Sequence, residues 1–310
     1  HRLSTILSLA VLTCAADVQP VFVTYEQFGA VGDGIADDQA AIVAAHAAAN
    51  EKGLPVKAGH GKTYRIGGGD RVAAIRTDVD FGDARFVIDD TSAKNRKSPV
   101  FRVESGTPSF EIGGLKPLQR GAKELGVVLP RRCHVELVYK GKRRYIREGL
   151  NRSSGTPQQE VVIADADGKI DPGTPLLWDY PSFSSAVARP IDDKTLVVRG
   201  GRYDYHSRGI RVERSNVRIC GLRHEVAGEL DHGAPYLGFV EVFHASGVSV
   251  EDCVFTAHRT YKTIGAAGLP VPMGSYDIAV NNSANVVFRN CRQTTDITDS
   301  RYCCTFHFST

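Results

Sequence analysis

The chain is poor in the features that mark metal, redox and membrane proteins. Its 7 cysteines (Cys14, Cys133, Cys220, Cys253, Cys291, Cys303 and Cys304) include no CxxC pair. None stands with a histidine at zinc-finger spacing, which excludes a structural zinc module and a thioredoxin-type redox site. Several lie inside strand-like runs, where a free cysteine serves as a small apolar filler. With 42% hydrophobic residues, the chain has material for a core without a disulfide framework. There is a single methionine, Met273, and residue 1 is histidine, so the sequence reads as a fragment or as trimmed at its front. Beyond the first residues no apolar run is long enough for a membrane span. The formal net charge of +3 is too small to argue for nucleic acid as a partner.

What is present begins with "HRLSTILSLAVLTCAADVQP". A basic residue, Arg2, precedes the apolar run Ile6 to Leu12, and small residues then precede Asp17. This is the pattern of a secretory signal peptide over 1–17, and it predicts a secreted or periplasmic protein. Cys14 raises a lipoprotein anchor as an alternative, although Thr13 fits a lipobox poorly.

After the motif "FGAVGDGIADD", the run "QAAIVAAHAAANEKG" predicts one short helix. Asp37 and Asp38 stand at its start, alanine is the best helix former, and Asn50 with Gly53 is expected to end it. Almost everything else reads as short strands: "RFVIDD", "PVFRVES", "CHVELVYKG", "EVVIAD", "TLVVRGGRY" and "GFVEVFHA". The span 209–293 repeats. "RSNVRICGLRH", "ASGVSVEDCVF" and "SANVVFRNCRQ" align on Val217, Val248 and Val286. That alignment brings Ile219, Val250 and Phe288 together, then Gly221, Asp252 and Asn290, then Leu222, Cys253 and Cys291. Recurrence at matching positions predicts coils stacked on one another, with Val/Ile/Phe as an inner ladder and the polar residues at an outer corner. The span 111–190 breaks the repeat. It is rich in basic residues and hairpin turns and reads as a β-rich insertion, with Lys140, Lys142, Arg143 and Arg144 on a hairpin tip. The expected organisation is a signal peptide (1–17), an N-terminal cap with the first coils (18–110), the insertion (111–190) and further coils (191–310). The tail "CCTFHFST" reads as a coil stack cut short.

"FGAVGDGIADDQAAIVAA", from Phe28 to Ala45, resembles the opening of the pectate-lyase-like superfamily of right-handed parallel β-helices. Its usual form is F-G-A-x-G-D-G-x-x-D-D-x-x-A-I-x-x-A, and every fixed position matches. "VDFGDARFVIDD" resembles the first coil of these proteins, and the segments after residue 209 resemble secreted bacterial members directed at polysaccharides. The resemblance implies an all-β, single-stranded parallel β-helix with a short N-terminal capping helix. It also implies that the opening motif is structural.

The resemblance further implies a polysaccharide lyase that cleaves an acidic, uronate-containing glycan by β-elimination. That chemistry needs a neutraliser for the uronate carboxylate, a base, and an acid for the leaving oxygen. The segment "AHRTYK" supplies suitable types: His258 or Tyr261 as base or acid, and Arg259 or Lys262 for the carboxylate. Candidate substrate-binding residues are His224, His232 in "GELDHGAPY", Asp296 and Arg301. Asp296, Asp299 and Arg301 are alternatively a Ca²⁺ site, and Ca²⁺ is the alternative neutraliser. Hydrolysis of the polygalacturonase type is the runner-up; its G-H-G element is missing, while Asp296 and Asp299 form a carboxylate pair. The third alternative is a non-catalytic, tail-spike-like glycan-binding β-helix.

Overall fold

The computed structural model describes residues 21–67, 69–89, 92–95, 97–144, 155–205, 208–226, 238–255, 261–264, 270–273, 276–293 and 306–309. Residues 205, 226, 261–264, 270–273, 276 and 306–309 are described by their backbone alone. The chain forms a parallel β-helix with one α-helix, α1 (Gln39–Lys52), beside its first coil. Among the described residues no helix is long and apolar enough to cross a membrane.

Each coil has three faces. The first face stacks Val56–Lys57, the front of Val79–Ile88, the front of Leu196–Tyr205, Val217–Cys220, Ser246–Glu251 and Ala284–Arg289, all parallel. The second face stacks Thr63–Ile66, the ends of the two long strands, Arg223–Val226, Val254–Phe255 and Arg292–Gln293. The third is a 6-stranded parallel sheet of Ala73–Ile75, Phe101–Glu104, Ile210–Glu213, Gly238–Phe243, Tyr276–Asn281 and Phe306–Ser309. The register reproduces the sequence repeat: Val217 pairs with Val248 and Val248 with Val286, and Ile219, Val250 and Phe288 follow two residues on.

The corner between the first and second faces shows why the repeat contains those polar residues. Gly221, Asp252 and Asn290 have φ of 69°, 54° and 54°. Glycine adopts this left-handed conformation freely, and asparagine and aspartate are the side chains that tolerate it best. One coil earlier the corner is Gly200, packed so closely on Gly82 that a β-carbon would lie 2.5 Å from the Gly82 carbonyl oxygen.

The interior of the second face is aromatic. Tyr64, Phe86, Tyr203, His224 and Phe255 are register partners, one per coil. Phe86 stacks on Tyr203 at 5.2 Å and on Tyr64 at 5.4 Å between ring centroids. Inward alternation on the other faces adds Val198, Ile219, Val250, Phe101, Ile210 and Val240, all buried. Buried cysteines Cys220 and Cys253 are free thiols in this packing.

The opening motif is structural, though its aspartates work differently from the expected helix caps. Asp38 stands at the N-cap without a capping side-chain bond. Its carboxylate accepts the backbone N–H groups of Val31 (2.7 Å) and Gly32 (3.3 Å). Asp37 accepts from Gln39 N–H and Gly67 N–H, and Asp33 from Ile35 N–H and Ala36 N–H. Three carboxylates thus anchor the segment, and the buried one, Asp38, meets a donor at each oxygen. Asn50 does not end the helix. It lies inside it and bridges to the third face, donating to Ala74 O and accepting from Arg76 N–H. The end is Gly53, at φ 66°, with its N–H bonded to Ala49 O. "VDFGDARFVIDD" is an internal coil, paired with Val56–Lys57 and Thr63–Ile66 on one side and Leu196–Tyr205 on the other.

A separate antiparallel sheet leaves the coil after Phe101–Glu104 and returns before Leu196–Tyr205. Its strand order is Thr156–Ala164, Cys133–Arg144, Ser185–Pro190, Phe110–Glu111. One side has its own core of Cys133, Val135, Leu137, Val162, Ala186 and Ala188. Period-2 alternation therefore turns His134, Glu136 and Arg189 to the opposite side, toward the coil.

Candidate functional site

That second side meets the corner between the third and first faces, and the contact is polar. His134 is fully buried, and its Nε2 lies 2.8 Å from the Asn282 carbonyl oxygen. The carbonyl can only accept, so the ring is the neutral Nε2–H tautomer. Gln159 donates to Asn282 Oδ1 at 3.2 Å, and Asn282 Nδ2 donates to Glu136 Oε1 at 3.3 Å. Glu136 Oε2 receives Arg189 Nη1 at 3.2 Å and faces His244 Nδ1 at 2.9 Å. The imidazole is close enough for a charge interaction, although its N–H is turned off a linear hydrogen bond. The His244 contact and the Arg189 charge hold the Glu136 carboxyl below its ordinary range.

Burial pulls the His134 pKa down to about 4. The sign follows directly. The unfolded chain protonates this ring near 6.5 while the folded chain does not, so the contribution to stability is complete above 6.5 and is lost as pH falls toward 4. The loss is on the order of 3 kcal/mol. Chemical unfolding at pH 7.5 and pH 4.5 is expected to show a drop, and His134→Asn should reduce it while leaving the share of buried His46, whose pKa burial lowers to about 3. A pH-independent difference between the two proteins would refute the assignment.

Beside this junction lies an open cleft of about 360 Å³, lined by Glu104, Ser105, Thr107, Ser109, Arg189, Pro190, Glu213 and His244. The insertion supplies one wall, and the third face with its corner supplies the other. Glu104 and Glu213 are register partners on adjacent coils. Arg76 donates to Glu104 at 3.0 and 2.7 Å, and Arg102 Nε lies 3.6 Å from Glu213. Arg211 donates to Glu241 at 2.8 Å and lies 4.0 Å from Glu213. Burial raises the Glu241 carboxyl despite that arginine. The base of the insertion is tied down by Ser105 Oγ–H to Asp192 at 3.2 Å and by the Arg214–Asp192 pair at 3.1 Å.

His244 has φ 51°, and Asn282, at the same corner one coil on, has φ 45°. Such strained corner positions recur at functional sites. His244 and Arg189 are the residues here with the chemistry of a base and an anion receptor. Sequence reading missed both. The available signals were the alternation in "CHVELVY", which puts a histidine and a glutamate on one face, and a histidine directly after "GFVEVF".

The residues singled out from sequence fare differently. His224 is not on a groove wall. It occupies the interior of the second face, stacked on Phe239 at 4.5 Å, with Nδ1 3.6 Å from buried Asp277. Its position is a correction, because the chain turns a corner at Gly221 and starts a new strand whose inward residues are Leu222 and His224. Tyr261 and Lys262 lie on the backbone of a hairpin formed by Tyr261–Ile264 and Pro270–Met273; their side chains are outside the description. His258, Arg259, His232, Asp296 and Arg301 lie outside the described residues. Among the described residues no group of three or more His, Cys, Asp or Glu could hold a metal ion.

No family model matches the chain, and no curated protein matches it. Solved structures do resemble it. The tailspike gp61 of Pseudomonas phage phi297 shares 14% identity at a TM-score of 0.47, over 87% of this chain and 49% of that one. PfbA, a surface adhesin of Streptococcus pneumoniae, shares 13% at 0.37, over 84% and 48%. The gp54 tailspike of Acinetobacter baumannii bacteriophage AP22, solved with capsular saccharide, shares 10% at 0.37, over 87% and 51%. The chain spans about half the length of these proteins. At such identities and scores the likeness assigns no activity to it.

Proposed function

We propose that this protein is a carbohydrate-active β-helix that cleaves a uronate-containing polysaccharide by β-elimination in the cleft beside the insertion. It fits within the pectate-lyase-like superfamily that the opening motif resembles, and an extracellular setting suits such a substrate. The observation that carries the reading is the convergence of His244, from the coil, and Arg189, from the insertion, on one cleft and one carboxylate, Glu136. Arg189 neutralises the substrate carboxylate, which acidifies the adjacent C–H. The Nε2 of His244 removes that proton. The freed electron pair forms the ring C=C bond and expels the glycosidic oxygen, and the imidazolium returns the proton to that oxygen. Glu136 lies against the Nδ1 side of the ring at 2.9 Å. Ser105, Thr107 and Ser109 supply hydroxyls for sugar contacts.

The test is incubation with pectate, alginate, chondroitin sulfate and heparin, with and without a Ca²⁺ chelator. The expected result is a rise in ultraviolet absorbance from unsaturated uronate that survives chelation. New reducing ends without absorbance, or no cleavage of any glycan, would overturn elimination.

A second reading, hydrolysis, is favoured by the raised carboxyl of Glu241. Glu241 and Glu213 flank one guanidinium, that of Arg211, at 2.8 and 4.0 Å, and inverting hydrolysis uses two carboxyls placed on either side of the scissile bond. This reading requires reducing ends without absorbance and their loss in Glu241→Gln.

A further inference from the structure

The insertion carries a second set of charges, away from the cleft. Cys133–Arg144 pairs with Thr156–Ala164 residue by residue from Cys133↔Ala164 to Tyr139↔Gln158. The register then shifts and pairing resumes at Arg143↔Pro157. Residues 140–142 therefore bulge from the sheet, and both lysines within the bulge are exposed. Bulges re-aim side chains and gather beside functional sites. The ion-paired lysines among the described residues are Lys169 and Lys194, not Lys140 or Lys142.

The neighbouring surface is built with some care. Arg144, at the end of the same strand, lies over the Trp178 ring, 3.5 Å from its centroid, and donates to Gln158 Oε1 at 2.6 Å. Trp178 is 39% exposed and Leu177 53%. Their loop does not move freely. The buried Glu160 carboxylate accepts the backbone N–H groups of Leu177 at 2.8 Å and Trp178 at 3.1 Å. Holding a carboxylate away from water is costly, and burial raises its pKa accordingly. The outcome of that cost is a fixed loop presenting a part-exposed indole beside Arg144, at the end of the strand whose bulge carries Lys140 and Lys142.

We propose that this edge of the insertion is a binding subsite for an anionic polysaccharide. Lys140 and Lys142 take carboxylate or sulfate groups, and Trp178 with Arg144 takes the face of a sugar ring. The proposal rests on the reading that the chain acts on glycans and names a second place where it grips them. Indole suits the apolar C–H face of a pyranose, and the cations suit the acidic substituents.

Trp178 is the chain's only tryptophan, so its emission reports on this site alone. The full chain is titrated with polygalacturonate, heparin, neutral dextran and duplex DNA at low and moderate salt. The expected result is a saturable change in emission with a polyanionic glycan, weakened by salt and weakened about tenfold in the Lys140→Ala/Lys142→Ala double variant. The balance between polygalacturonate and heparin tells carboxylate from sulfate. No response to either, an equal response to dextran, an unchanged affinity in the double variant, or a tighter response to DNA would overturn the proposal. A His244→Asn variant that binds as the parent does keeps the two sites apart. Binding at Trp178 without cleavage of any glycan leaves the subsite standing and removes the elimination reading. Cleavage without any change in emission does the reverse.

Discussion

Substituting His244 with asparagine is expected to lower the rate of unsaturated-uronate formation by about 10²–10⁴-fold, the range for loss of a positioned general base. Asparagine is chosen for the backbone. His244 sits at φ 51°, and the structure itself places asparagine, Asn282, in the corresponding corner of the next coil at φ 45°. Alanine there would add a left-handed penalty of about 1–2 kcal/mol and mix folding with chemistry. The variant should keep its far-ultraviolet dichroism and unfolding midpoint. Arg189→Lys keeps a charge but loses the planar fork, and should raise KM more than it lowers kcat. A His244→Asn protein that forms product at the parental rate would falsify the assignment of the base.

Phe86→Ala is expected to destabilise the chain by about 3–5 kcal/mol, the usual cost of removing a buried aromatic ring. Phe86 is fully buried and meets five rings: Tyr25, Tyr64, Phe81, Phe101 and Tyr203. They belong to the N-terminal cap and to successive coils, so collapse around the hole is limited by strands on every side. Coils are also stabilised by their neighbours, which spreads the loss along the stack. Guanidinium unfolding monitored by dichroism measures it. A loss under about 1 kcal/mol would mean that the interior repacks or that the ladder is not continuous.

The parts legible in sequence are those where one backbone requirement recurs. The corner at Gly221, Asp252 and Asn290 needs a left-handed residue in every coil, and the neighbouring inward position needs an apolar one, so the repeat could be aligned by eye. The opening motif was legible for a similar reason: its aspartates serve fixed N–H groups of its own loop, of the helix start and of Gly67. His224 was misjudged because alternation restarts at each corner. The strand ends at Cys220 and the chain turns at Gly221, as the repeat implies, but a second strand starts at Arg223 and turns His224 inward. The cleft was invisible for a different reason. His244 follows a strand of the third face, while Glu136 and Arg189 belong to two strands of the insertion. No local pattern links them.

The stacked coils, their inner ladder, their corners and the helix at their first end follow from period, turn chemistry and burial within a few neighbouring residues. The resting place of the insertion does not. Alternation in Cys133–Arg144 gives one side an apolar core and the other a polar set, but either side of a sheet can face many partners. The docking of His134, Glu136 and Arg189 against Asn282 and His244 selects one. That choice brings a base and a cation to the same cleft, through contacts whose free energy exists only after both parts have folded.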